Sequence, residues 1–123
     1  MPAEPGPLTL EAWLTRRIEE APPELAEAVW PLVRGRLAEG EEGLVHAALD
    51  ALAIAAHGAA DGAPNRAEAV TLLAADAILT YALEAAADPA LGGSAARASR
   101  LAEWAGPRGL IGNRFNEEET AGG

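Results

Sequence analysis

Arg66-Ala-Glu-Ala-Val-Thr-Leu-Leu-Ala-Ala-Asp-Ala-Ile-Leu-Thr-Tyr-Ala-Leu-Glu-Ala-Ala-Ala87 is the most apolar stretch of the 123-residue chain, and its reading decides the fold. Asn65 precedes it and Glu68 follows three residues later, the pattern of a capping box in which each side chain satisfies an amide of the first helical turn. Val70, Leu72, Leu73, Ile78, Leu79 and Leu83, separated mostly by alanines, place apolar groups nearly all round the helix. Such a helix belongs at the centre of a bundle. The stretch is also long enough for a membrane span, but Glu68, Asp76, Glu84 and the abundance of alanine favour a buried central helix.

Working outward, 59–64 read as a turn-rich loop, preceded by a helix from about Glu42 to His57 that Gly58 should end. Its apolar stripe is Val45, Ala48, Leu49, Leu52 and Ala56. Pro22-Pro23 breaks the chain before that and can open a helix carrying Leu25, Val29, Leu32, Val33 and Leu37, with Gly40 as its stop. Pro31 falls inside this pattern and predicts a kink or break at Trp30-Pro31, because it has no amide hydrogen to give. Thr9 is placed to cap a first helix to about Glu20, with Leu10, Trp13, Leu14 and Ile18 on one face. Downstream, Asp88-Pro89 and Gly92-Gly93 set off a last helix from about Ser94 to Ala105, whose Ala98, Leu101 and Trp104 point inward before Gly106-Pro107.

The expectation is an all-α protein: one compact antiparallel bundle of five to six helices over 8–112, a flexible lead-in over 1–7 and a disordered acidic tail over 113–123. No internal repeat is visible. The net charge of −10, with nine arginines and no lysine, repels phosphate backbones, so nucleic-acid binding is not expected. Membrane insertion is not expected either. The absence of cysteine removes disulfide and thiolate chemistry, and the first residues lack the charged and apolar regions of a signal peptide, which suits a cytoplasmic protein.

Candidate chemistry is sparse. His46, Asp50 and His57 share one helical stripe, but the two histidines lie about 16 Å apart along the axis, too far to hold one ion. A solvated face explains them better. Asp76 is the sharper anomaly, set among Leu72, Leu73, Ile78 and Leu79: on a central helix it should be partly buried, with a partner such as Arg34, Arg97 or Arg100, a backbone donor or a raised pKa, the alternative being an edge of the helix that faces water. Ser94 and Ser99 lie in no nucleophile elbow, and the scattered Gly35, Gly40 and Gly43 make no phosphate loop. No residue is assigned as catalytic, cofactor-binding or metal-ligating, and no cofactor is implied.

The segment Arg66 to Glu84 resembles the trans-polyprenyl diphosphate synthases, all-helical enzymes whose corresponding stretch reads Leu-Ala-Gly-Asp-x-Leu-Leu-x-x-Ala-x-Glu. Leu73, Ala74, Asp76, Leu79 and Ala82 to Glu84 follow it, with Ala75 in place of the glycine. Leu101 to Ile111 is similar to the family's Leu-Ala-x-x-x-Gly-x-x-Gly-Leu-Val, so the resemblance covers about 66–111. Other parts of the family pattern are missing. Where the family carries Asp-Asp-x-x-Asp after a histidine, this chain has His57-Gly58-Ala59-Ala60-Asp61, and one carboxylate cannot bridge a magnesium cluster. Near Gly40, where the family's basic diphosphate-gripping motif should fall, stand Glu41 and Glu42. The second aspartate motif would lie beyond Gly123, and Gly112-Asn113-Arg114 departs from the expected Gly-Gln.

The resemblance therefore implies a half-fold of that family and a shortened, catalytically silent relative that forms a homodimer or joins a larger synthase as a regulatory subunit. A second reading is a reduced isoprenoid-binding or magnesium-dependent enzyme using His57, Asp61 and Asp76. A third is an unrelated helical interaction module.

Overall fold

The computed structural model describes residues 8–59, 65–106 and 109, and within these the chain is all-helical, with no strand. The elements are α1 (Leu10–Glu19), α2 (Pro23–Val33), a 3-10 turn (Arg34–Glu39), α3 (Gly40–Ala59), α4 (Arg66–Ala87), a short 3-10 turn (Pro89–Leu91) and α5 (Ala95–Ala105). The lead-in over 1–7 and the tail over 113–123 lie outside the described residues, as do Leu110 and Ile111.

Local chemistry sets most of these boundaries. The Thr9 hydroxyl accepts from the Ala12 amide at 3.1 Å and starts α1, and Ser94 does the same for α5 through Arg97. Pro23 occupies the first turn of α2, where an amide hydrogen has no helical partner to lose. Asn65 and Glu68 form the complete capping box at the head of α4, both bonds at 2.9 Å. Gly40 ends the 3-10 turn at φ 70°, a backbone region that glycine enters without steric penalty.

Two boundaries differ from the sequence expectation. The α-helix continues past Trp30-Pro31 as far as Val33, where it breaks into the 3-10 turn, so the break expected at Trp30-Pro31 falls two residues later. Pro31 is exposed, while Val29 and Val33 on either side of it are buried, so core packing carries the helix through the proline and α-helical bonding gives way after it. Gly58 likewise does not stop α3, which begins at Gly40 and reaches Ala59. One glycine in a helix costs about 1 kcal/mol, and α3 extends one residue beyond it.

The core is built from Leu14, Ile18, Val29, Val33, Leu44, Val45 and Ile78, all but fully enclosed, with alanines filling between them. Each of these larger side chains contributes about 1.5–3 kcal/mol of burial. Helix α4 packs against α1, α2, α3 and α5, and Ala74, Ala75, Ala82, Ala85 and Ala86 on its inner side are buried. Small side chains there let neighbouring helices come close.

Polar groups tie the helices at their margins. The Trp13 indole nitrogen donates to Asp88 at 2.8 Å, pinning α1 to the end of α4. Arg17 pairs with Glu84 and lies over the rings of Trp13 and Tyr81, 5.8 Å and 6.0 Å from their centroids. Burial raises the Tyr81 phenol above its ordinary pKa, and the Arg17 charge only partly offsets this.

Candidate functional site

Although α4 touches every other α-helix, one face of it is open. Leu73 is 61% exposed, Leu72 39% and Leu83 37%, and Ile54 on α3 is 60% exposed. Only 39% of the apolar window of α4 is buried within the protein. By length and hydropathy alone α4 could cross a membrane, the one helix among the described residues of which that is true.

The open positions are ordered. Ala69, Leu73, Asp76, Thr80, Leu83 and Ala87 are all exposed and follow one another at steps of four, three, four, three and four. That alternation is the heptad spacing of a helix seam. Ala77 and Leu79 flank the row, half-buried. On the α2 side Pro22, Glu24 and Leu25 rise beside Val70, Leu73 and Asp76 and form a shallow groove of about 270 Å³.

Asp76 therefore stands in water, not in the core, and the expected burial is corrected. Its sequence neighbours misled because adjacency along a helix is not adjacency around it: Ile78, two residues on, is turned about 200° away. None of the arginines expected to pair with it does so. Arg97 donates to Glu41 at 2.9 Å, Arg34 lies over Trp30 at 5.8 Å, and Arg100 is exposed. The Asp76 carbonyl accepts from the Thr80 hydroxyl at 3.0 Å, a bond within the helix.

The stripe of His46, Asp50 and His57 is divided by the fold. His46 is half-buried, with its ring 5.6 Å from that of Trp104 in an edge-to-face contact. Asp50 accepts from Arg36 at 2.7 Å, and this hydrogen bond, with the one Arg36 gives to Glu39, raises the Arg36 pKa above its ordinary value. Only His57 is fully exposed, so the solvated face expected for all three holds for the last alone. Sequence reasoning missed both contacts because Trp104 and Arg36 come from other elements.

A second concave feature, a groove of about 650 Å³, lies between the head of α3 and α5. Glu39, Glu41 and Glu42 face Arg97 and Arg100 across it, with Trp104 at its side. Glu41, whose side chain is only 13% exposed, engages Arg97, so three carboxylates meet two guanidinium groups and one of those is already neutralised.

No group of three or more His, Asp or Glu able to hold a metal occurs among the described residues. Asp61 lies outside them, so the set His57, Asp61 and Asp76 is described only in part, with His57 and Asp76 both exposed. Ser94 is engaged in capping α5, and Ser99 is exposed. The most distinctive surface is thus the open face of α4. No protein-family profile, curated protein or solved structure matches this chain.

Proposed function

We propose that this chain is a non-catalytic helical protein, an antiparallel bundle that works by packing the open face of α4 against a partner. The observation that carries the reading is the exposure of Leu72, Leu73 and Leu83 on the helix that otherwise organises the core. Leucines held in water on one helix face, Leu73 and Leu83 in the heptad-spaced row and Leu72 beside it, gain burial on docking. The resemblance of 66–111 to the polyprenyl diphosphate synthases supports a place for the chain as a catalytically silent relative, acting as a homodimer or as a regulatory subunit.

The test compares the parent with the double variant Leu73→Glu/Leu83→Glu. Thermal melts of both are expected to agree within a few degrees, because neither leucine is enclosed. Light scattering and affinity capture from the source cells should show assemblies with the parent that the variant loses. A parent that is strictly monomeric and captures nothing beyond what the variant captures refutes the reading.

A further inference from the structure

The heptad-spaced row of exposed positions on α4 has a property beyond its spacing: about Ile78 its alanines and its leucines are placed symmetrically, with Asp76 and Thr80 as the one unlike pair. Ala69 and Ala87 lie nine residues either side of it, Leu73 and Leu83 five, and Asp76 and Thr80 two. Turned end over end about that level, the row sets alanine opposite alanine, leucine opposite leucine, and the single carboxylate opposite a hydroxyl. We infer that the open face of α4 pairs with the same face of a second copy of this chain, antiparallel, about a two-fold axis at the level of Ile78. This rests on the proposed function and names its partner.

Charge selects this arrangement over the parallel one. Two parallel copies in register would put Asp76 against Asp76 in one layer, and like charges directly opposed are unfavourable. In the antiparallel pair the two carboxylates are offset by about 6 Å along the axis. Each faces Thr80 of the other copy, whose hydroxyl now bonds a carbonyl of its own helix at 3.0 Å and can turn to the carboxylate instead. Arg66, which pairs with Glu24 at 2.7 Å while its side chain stays 80% exposed, lies one step before Ala69 in the row. The same pairing carries it to the C-terminal end of the second copy's α4, where the helix leaves partial negative charge.

The flanks also fit, since Ala77 comes beside Ala77 and Leu79 beside Leu79 across the axis, small against small on one side and apolar against apolar on the other. From Ala69 to Ala87 the seam is about 27 Å long and one helix wide. A seam of that size falls short of the roughly 800 Å² per partner of standard stable complexes, so the dimer is a reversible one.

The chain has no cysteine, so single cysteines report the geometry of the full-length protein directly. Asp76→Cys and Thr80→Cys, both at exposed positions, are oxidised separately and as an equimolar mixture after melts confirm folding. The expected result is a disulfide-linked dimer that forms several-fold more in the mixture than in either variant alone. Self-linked Asp76→Cys as the main product would mean parallel pairing and overturns the axis. Absence of cross-links, together with a parent that sediments as a monomer at the highest attainable concentration, overturns the dimer itself. If Leu73→Glu/Leu83→Glu then still loses a captured protein, or the parent alone co-sediments with phosphatidylcholine vesicles, the face is a docking surface with another occupant. If neither occurs, the docking surface falls as well.

Discussion

Ile78 and Leu73 lie five residues apart on α4 and differ as far as two apolar residues on one helix can: the first is 0% exposed, the second 61%. Truncating Ile78 to alanine removes three carbons from a closed core, roughly 2.4 kcal/mol of transfer free energy at about 0.8 per carbon. The cavity adds to this, bringing the expected loss to about 3–4 kcal/mol. Leu73→Ala removes as many carbons from a side chain already mostly in water, and alanine is the better helix former, so its loss should stay near 0.5 kcal/mol or less. Urea unfolding followed by helix circular dichroism, at low micromolar protein so that association contributes little, measures both. In concentrated solution the Leu73→Ala deficit should grow, because only the parent gains stability by associating. Equal, concentration-independent losses for the two variants would place Leu73 inside the monomer core and refute the open face on which the functional reading stands.

Asp88 accepts from the Ala90 amide and from the Trp13 indole, and these bonds, the backbone one foremost, hold its pKa below the ordinary 3.8. Its stabilising contribution is therefore complete above that value and is lost as pH falls through the lowered one, so Asp88→Asn should flatten the acid limb of a melting-temperature profile below about pH 4; an unchanged limb would contradict the assignment. Asn65→Ala removes the acceptor for the Glu68 amide and breaks the capping box, with an expected loss of about 1 kcal/mol in urea unfolding. Gly93→Ala would place its new carbon 2.2 Å from the Ala86 carbonyl oxygen, so the turn between α4 and α5 must shift, and a fall in stability of about 1–3 kcal/mol is expected; a neutral result would show that the turn is looser than described.

Helix boundaries were largely legible in the sequence because capping and breaking are local chemistry. Thr9, Pro23, Asn65 with Glu68, and Ser94 act within one turn of themselves, and each opens the helix expected there, whereas Gly40 ends the 3-10 turn and not α2, which stops at Val33. The all-helical class followed from alanine and the scarcity of strand-forming residues. Where a boundary depends on what lies across the core, as at Pro31 between the buried Val29 and Val33, packing carried the α-helix a short way past the point at which local propensity would end it.

The residues of α4 itself could not say which of their sides would be covered. Apolar groups all round a helix are equally compatible with full enclosure and with an open seam, since each position sees only what other elements bring to it. Ile78 is enclosed, but no described residue closes over Leu73 or Asp76. The near-symmetric row was present in the sequence throughout, and only the tertiary structure showed it to be a surface. Secondary structure answers to interactions a few residues long, whereas exposure is set by contacts between segments far apart in the chain.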